Sequence, residues 1–198
     1  MNRKSFLLAG AAALTLTLSG CLSFGAKPPP TLMRLTAADA RSPAAGRTSP
    51  TGSAITVVTP TVGQELRTPR VPVRTGATQV SYIKDAQWVE MPSALFGRLL
   101  SETIAAKTGR VVLDPKQFTF DPGVRLAGTL ETFGIQSDTM EAVAIYDAAL
   151  ARGPDAVETR RFEARVPVTA VDAVSAAPAL NEAANKIAAD VASWIGGG

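Results

Sequence analysis

Val124-Arg125-Leu126-Ala127-Gly128-Thr129-Leu130-Glu131 is the stretch that decides the fold, because its side chains alternate between two chemical classes. Positions 124, 126, 128 and 130 carry apolar residues or glycine, whereas positions 125, 129 and 131 carry polar ones. Successive side chains of a β-strand point to opposite faces of the sheet. The alternation therefore predicts a strand with one face on a hydrophobic core.

Two more alternating segments follow, one from Met140 to Leu150 and one from Val157 to Val168. In the last segment the apolar and charged residues again take opposite faces, with Phe162, Ala164 and Val166 opposite Arg161, Glu163 and Arg165. Turn-forming residues separate the segments at 136–138 and at Arg152-Gly153-Pro154-Asp155. The three segments together predict an antiparallel meander.

Shorter patterns precede the meander. Ile55 to Val58 is β-branched and stops before Pro60, which predicts a buried strand. Leu66 to Val73 contains two prolines, so we expect an edge strand or an extended loop there. Met91 to Lys107 has apolar residues at helical spacing, with Pro92 in the first turn and Gly109 at the end, and predicts a helix.

The carboxyl-terminal segment Pro178 to Ile195 carries an apolar stripe and predicts an amphipathic helix that lies on the sheet. The order of strand, crossover helix, strand, meander and helix predicts the α/β class. We expect a single mixed sheet with an antiparallel meander, covered by two main helices.

The amino terminus predicts an export signal. Residues 1–20 begin with Arg3 and Lys4, continue with an apolar run from Phe6 to Leu18, and end in small residues. The run is too short for a membrane-spanning helix, which needs about 20 apolar residues. We therefore expect residues 1–20 to be a lipoprotein signal peptide that is removed by cleavage.

The tetrapeptide Leu18-Ser19-Gly20-Cys21 resembles the bacterial lipobox. In that motif the cysteine receives a diacylglycerol and an acyl chain such as palmitate, and becomes the new amino terminus. The alternative is a buried Cys21 beside an ordinary amino-terminal helix. Leu22, where some lipoproteins carry Asp, looks like the pattern that directs such proteins to the periplasmic side of the outer membrane of a Gram-negative bacterium.

Residues 21–53 predict a lipidated cysteine followed by a flexible spacer, because they include Lys27-Pro28-Pro29-Pro30 and a stretch rich in Ala, Ser, Thr, Pro and Gly. Within the spacer, Thr31 to Leu35 could be a short edge strand, or an exposed part of the tether. The globular domain is expected at 54–198.

Composition excludes several kinds of active site. The 198 residues include one cysteine and no histidine, so an internal disulfide, a thiolate zinc cage and histidine-based catalysis are excluded. The net charge of +3 falls to +1 without Arg3 and Lys4, since 18 basic then face 17 acidic side chains. The remaining basic residues are scattered, so nucleic acid is not an expected partner.

No acidic pair or glycine-rich loop predicts catalysis, a metal site or a cofactor site. Asp85, Glu90, Asp114 and Asp121 lack the spacing of metal ligands, and solvated or capping roles suit them better. Gly196-Gly197-Gly198 has no strand before it and no helix after it, unlike a phosphate-binding loop. We therefore expect no enzyme.

The segment from Tyr82 to Glu90 concentrates aromatic and charged residues just before the first predicted helix. Trp88 could fill the gap between helix and sheet, and it could also belong to a contact surface, because aromatic and Arg side chains are typical binding anchors. We take Tyr82, Asp85 and Trp88, together with Arg70, as candidate partner-binding residues.

Several of these segments together resemble the ABC-type transport auxiliary lipoprotein family. They are Ile55-Thr56-Val57, Leu66 to Val73, Tyr82 to Glu90 with its Asp85-Ala86-Gln87-Trp88 core, and Leu95-Phe96-Gly97-Arg98-Leu99-Leu100. The first strand departs from the family, whose Tyr-rich sequence is replaced here by Thr31 to Leu35.

The resemblance implies a fold similar to the amino-terminal domain of the translocation protein TolB. It also implies a non-catalytic auxiliary component that accompanies an ABC permease and ATPase and an MCE (mammalian-cell-entry) domain protein, which move lipids between two membranes. Assembly with further copies of the chain is compatible with this role. An activator of a cell-wall synthase and a lipid-carrying shell remain alternatives.

Overall fold

The three alternating segments of the sequence form the three longest strands of the fold. The computed structural model describes residues 31–38, 50, 52–115, 123–153 and 156–197, so the predicted signal peptide and Cys21 lie outside the described residues. In chain order the elements are β1 (Ile55–Val57), β2 (Thr61–Val62), a 3-10 helix (Gln64–Leu66), β3 (Arg70–Thr75), β4 (Gln79–Gln87), α1 (Pro92–Thr108), β5 (Val112–Leu113), β6 (Val124–Gln136), β7 (Glu141–Arg152), β8 (Val157–Pro167) and α2 (Ala173–Gly196).

Strand β6 organises a mixed sheet. On one side it pairs antiparallel with β7, which in turn pairs antiparallel with β8. On its other side β6 pairs in parallel with β1, β2 and β3 one after another along its length. Strand β5 adds to β1 in parallel, and β4 adds to β3 antiparallel. The predicted mixed sheet and the predicted meander are both confirmed.

Both helices cover the same face of this sheet. Leu130, Tyr146 and Phe162 lie in register across β6, β7 and β8, and all three are buried. The Phe96 ring of α1 lies 5.3 Å from the Tyr146 ring, and the Trp194 ring of α2 lies 5.6 Å from the Phe162 ring. One row of the sheet therefore carries both helices, and the predicted covering of the sheet by two main helices is confirmed.

Helix α1 begins and ends where its sequence indicates. Pro92 occupies its first turn, where the missing amide hydrogen costs no hydrogen bond. Gly109 follows the last turn with φ 71°, a left-handed conformation that glycine adopts without a Cβ penalty.

Helix α2 is longer than the sequence pattern predicted. It begins at Ala173 rather than at Pro178, which lies inside the helix. The start is fixed by Asp172, whose side chain accepts a hydrogen bond from the Ser175 amide at 2.8 Å. The prediction was wrong because the capping aspartate outweighs the one backbone hydrogen bond that a proline early in the helix removes.

The expectation of an edge strand or loop between Leu66 and Val73 was also wrong. The 3-10 helix ends at Leu66, and β3 lies between β4 and β6 rather than at an edge. Proline is tolerated because pairing with β6 involves only Val73 and Arg74, so Pro72 need not donate to that ladder.

Residues 31–38 pack on the body. Met33 forms a single parallel bridge with Trp88, where the possible strand at 31–35 was expected. The Thr36 amide donates to Asn181 Oδ1 at 2.9 Å, and the Ala38 amide donates to Asn185 Oδ1 at 2.8 Å. The body thus includes a segment upstream of residue 54.

Within the described ranges, neither helix combines the length and the hydropathy that crossing a bilayer requires.

Candidate interaction surface

The face of the sheet turned away from the helices carries a cluster of polar and aromatic side chains. Pro72 pairs with Tyr82 across β3 and β4, which places the Tyr82 ring on this outer face. The guanidinium carbon of Arg70 lies 4.5 Å from the centroid of that ring, within the range of a cation–π interaction. The Tyr82 hydroxyl donates to the Glu65 carbonyl oxygen at 3.3 Å.

Arg74 joins the same cluster from β3. Its Nη1 donates to Thr132 Oγ1 at 2.9 Å, and its Nη2 donates to the Glu131 carbonyl oxygen at 3.3 Å. The same Nη2 forms an ion pair with the Glu65 carboxylate. We call Glu65, Arg70, Arg74, Tyr82 and Thr132 the Arg–Tyr cluster.

A glycine in β6 allows β3 to approach. A Cβ atom on Gly134 would lie 2.4 Å from the Pro72 carbonyl oxygen and 2.8 Å from Pro72 Cγ. Because contacts this short are forbidden for real side chains, only glycine fits at position 134 with β3 in this place. The Arg–Tyr cluster therefore depends on a backbone contact between two strands.

The structure brings two of the predicted site residues together and separates the others. Arg70 and Tyr82 are in contact, as described above. Asp85 is exposed in the stretch of β4 where the register shifts, and it has φ 57°, a left-handed conformation that Asp tolerates better than most residues. It lies on the same strand as Tyr82, without a contact that joins it to the cluster.

Trp88 does not lie on the surface. Its side chain is 2% exposed, and its ring stacks on Phe133 with 5.3 Å between the centroids. The prediction that Trp88 belongs to an exposed contact surface is therefore wrong. The alternative prediction, that Trp88 fills the gap between helix and sheet, agrees with its burial. The Trp88 amide donates to the Pro69 carbonyl oxygen at 2.7 Å, so Trp88 fixes the backbone beside Arg70.

Sequence reasoning missed Glu65 and Arg74. Arg74 shares the period-two face of Arg70 and Pro72, so strand alternation alone could have indicated it. No pattern in the sequence indicates Glu65. It lies in the 3-10 helix that precedes β3, and its contact with Arg74 depends on how that helix packs against the strand.

A second polar region lies on the outer face of β7 and β8. Arg161 holds Asp147 with two hydrogen bonds, both 2.6 Å, and this contact lowers the pKa of Asp147 from its usual value. Arg165 contacts Glu163 at 2.6 Å and Glu141 at 3.2 Å. Hydrogen bonds from Thr139 and then from Arg165 lower the pKa of Glu141.

The charged and hydroxyl side chains of these regions are held by neighbouring groups. In the part of the chain that the structure describes, no group of three or more acidic, His or Cys side chains is placed to hold a metal ion. Glu90 is bound by Arg98 through two hydrogen bonds of 2.7 and 2.8 Å, and Ser101 donates to the Gly97 carbonyl. The outer face offers guanidinium groups, an aromatic ring and carboxylates for contacts with a partner.

No curated protein matches this chain. Among solved structures, the chain is similar to the protein XCC0632 from Xanthomonas campestris, of the DUF330 family, with 17% identity and a TM-score of 0.69 over 83% of this chain and 94% of that chain. A second structure, of an uncharacterized protein, gives 16% identity and a TM-score of 0.64 over 73% of this chain and 93% of that chain. At these identities the likeness shows the fold alone.

The family is shown by a match over the folded body. The family model whose description is "ABC-type transport auxiliary lipoprotein component" matches residues 34–192, which include every strand and most of α2. This chain belongs to the ABC-type transport auxiliary lipoprotein component family.

Proposed function

We propose that the protein is a non-catalytic auxiliary component of an ABC/MCE-type system that transports lipids between membranes. In this proposal a lipid on Cys21 holds it on the periplasmic side of the outer membrane. The observation that carries the proposal is the family match over residues 34–192. The lipobox at 18–21 lies outside the matched residues, so it supports a lipoprotein independently of the body.

Lipid attachment would supply the anchor. Each buried acyl methylene contributes about 0.8 kcal/mol, so a diacylglycerol together with an acyl chain holds a protein on a bilayer for a long time. The body needs no spanning element of its own in this arrangement. In this arrangement the protein carries a covalent lipid rather than a cofactor, and the partner ATPase hydrolyses ATP.

Fractionation tests the anchor. The wild-type chain and the Ser23→Ala control should float with outer-membrane vesicles, and the mass of their amino-terminal peptide should show an acylated Cys21 without residues 1–20. Cys21→Ser should lose both the acyl mass and the vesicle association. An unmodified Cys21 that keeps its leader in the wild-type chain would contradict the anchor.

The Arg–Tyr cluster is the proposed docking surface for the transport complex. Aromatic and Arg side chains are enriched among the residues that dominate binding energy, and Arg70 and Tyr82 present both on the outer face. Asp85 adds an exposed carboxylate on the same strand, and Trp88 contributes from the interior by fixing the backbone next to Arg70.

Copurification tests the docking surface. Arg70→Glu together with Tyr82→Ala should lower the yield of the MCE-domain protein and of the permease and ATPase by more than tenfold. Each lost anchor weakens binding by at least ~1 kcal/mol, and about 1.4 kcal/mol already corresponds to a factor of ten. Arg125→Glu, an exposed charge reversal at the other end of the outer face, serves as the matched control. Unchanged yields in the double variant would remove this surface, and capture of a cell-wall synthase in place of the transporter would replace the proposed role.

A further inference from the structure

Most of the exposed large apolar residues lie at one end of the body. Seven such residues are exposed in the described part of the chain. Five of them belong to three short segments, namely the first described residues and the stretches that lead into α1 and into α2. We call this group the tether-end patch: Leu32, Val89, Met91, Val171 and Val174, with exposed fractions between 38% and 83%.

Three members of the patch are held together by hydrogen bonds between their segments. The Met33 amide donates to the Gln87 carbonyl at 2.7 Å, and the Val89 amide donates to the Met33 carbonyl at 2.8 Å. Leu32 and Val89 therefore flank one bridge, and Met91 follows at the start of α1.

The other two members are located by the course of residues 31–38 along α2. Thr36 is hydrogen-bonded to Asn181 and Ala38 to Asn185. An advance of two residues along the segment therefore matches an advance of four residues along the helix. The spacings agree, because two extended residues and four helical residues each cover about 6 Å. Followed backwards at this rate, Leu32 lies level with the first turn of α2. Val171 and Val174 lie at the same level, just before and just inside that turn.

The opposite end of the body is some distance away. Helix α2 has 24 residues and is therefore about 36 Å long. At its carboxyl end Arg152 donates to the Ile195 carbonyl at 3.2 Å, and Val157 pairs with the neighbouring Ala151. Val157 is 65% exposed, so it is an isolated apolar residue at the far end.

The chain enters the body at the patch. Thr31, the first described residue, is next to Leu32, and Cys21 precedes it by about ten residues, which reach at most ~35 Å when fully extended. A lipid on Cys21 would thus keep this end of the body closest to the bilayer. The patch consists of Leu, Val and Met side chains and includes none of the Trp, Tyr and Arg residues that dominate protein–protein contacts. Arg34, which is not a member of the patch, is exposed in the same segment as Leu32.

We propose that the tether-end patch rests on the lipid surface to which Cys21 is attached, so that the body is held against the membrane by its apolar end as well as by its tether. This inference depends on the lipid anchor of the proposed function. Amphipathic protein surfaces bind the interface in proportion to the apolar area that they bury. The tether sets a high local concentration, so weak apolar contacts suffice to orient the body.

A depth measurement on the lipidated full-length chain tests the orientation. Val174→Cys and, as the control, Val157→Cys each receive an environment-sensitive fluorophore after acylation has blocked Cys21. The proteins are reconstituted in phosphatidylethanolamine and phosphatidylglycerol vesicles that contain lipids with a shallow spin-label quencher. We expect at least threefold stronger quenching at position 174 than at position 157. Equal quenching in protein that floats with the vesicles would overturn the inference while leaving the anchor intact.

Charge insertion provides a second readout. In the lipidated chain, Leu32→Asp with Val174→Asp should reduce quenching of a fluorophore on Met91→Cys to the level seen at position 157, and Val157→Asp should leave it unchanged. Flotation of these proteins reports the anchor separately. A chain that fails to float would overturn both the anchor and the membrane contact, whereas floating variants with undiminished quenching at position 91 would overturn the contact alone.

Discussion

The two faces of the central sheet differ in how their side chains are satisfied. On the helix side, the rings of Trp88, Phe133, Phe96 and Tyr146 follow one another with 5.3 to 6.2 Å between neighbouring centroids. On the outer side, guanidinium groups pair with carboxylates, as Arg161 does with Asp147, or cover a ring, as Arg70 covers Tyr82.

This difference makes the inner face the main source of stability and leaves the outer face accessible for the proposed docking. The inner rings are buried with polar atoms that lack partners, since neither Trp88 Nε1 nor Tyr146 Oη has a hydrogen bond in the described structure. Burial of aromatic area there outweighs two unmade hydrogen bonds. The outer groups are bonded yet accessible, so a partner can contact them without unfolding the body.

Truncation of the inner ring stack should have the largest effect. Trp88→Ala removes a buried ring from contact with Phe133 and should lower the free energy of unfolding by about 3–5 kcal/mol. Arg70→Ala, on the outer face, should cost less than ~1 kcal/mol. Urea unfolding followed by circular dichroism measures both, and equal losses would contradict the division between the faces.

A methyl group added beneath the inner ring should come next. In Gly128→Ala the new Cβ would lie 2.3 Å from the Asp147 carbonyl oxygen and 2.7 Å from Tyr146 Cε2. Because a backbone atom cannot move aside cheaply, we expect a loss of about 1–3 kcal/mol in thermal or urea unfolding. Gly63→Ala meets nothing within 4 Å and should be close to neutral. A stable Gly128→Ala protein would show that β6 and β7 can separate locally.

The two tyrosines should respond in opposite ways to loss of the hydroxyl. Burial raises the pKa of Tyr146, whose hydroxyl has no partner within the described residues. Tyr146→Phe should therefore be neutral or stabilising by up to ~1 kcal/mol. Tyr82→Phe loses the hydrogen bond to Glu65 and should cost about 0.5–1 kcal/mol. A marked loss in Tyr146→Phe alone would reveal a partner for the inner hydroxyl.

The outer ion pair should give the smallest effect, visible only through pH. Contact with Arg161 lowers the pKa of Asp147, so the folded state binds a proton less readily than the unfolded chain. The stability from this pair is present above the unfolded pKa of about 3.9 and is lost as pH falls through the lower folded pKa. Asp147→Asn should unfold slightly earlier than wild type at pH 7 and low salt, and the two melting curves should converge below pH 3. Curves that stay apart there would contradict an electrostatic origin.

Much of the sheet could be predicted from local alternation. Strands β6, β7 and β8 follow from side-chain periods, and α1 follows from its apolar spacing between Pro92 and Gly109. Such patterns report which face of an element is buried, and they are local. The start of α2 was missed because Asp172, a single capping residue, outweighs a proline that the pattern marks as a beginning.

The interaction surface could be predicted only in part. Arg70 and Tyr82 were expected to act together, but their contact depends on the pairing of Pro72 with Tyr82, and an irregular stretch of β4 around Asp85 sets that register. A turn-mediated contact such as Glu65 with Arg74 has no local signature. Trp88 shows the opposite case. A tryptophan suits a binding anchor as well as a core residue, and only its burial in the structure distinguishes the two roles.

Site-specific photo-crosslinking tests the central claim that the outer face recognises the transport complex. A photoreactive amino acid replaces Tyr82 in one protein and Glu182, on the exposed side of α2, in another. We predict that position 82 yields an adduct with a subunit of the ABC/MCE-type complex in intact cells and that position 182 does not. Adducts with that complex from position 182 alone, or from neither position, would contradict the account.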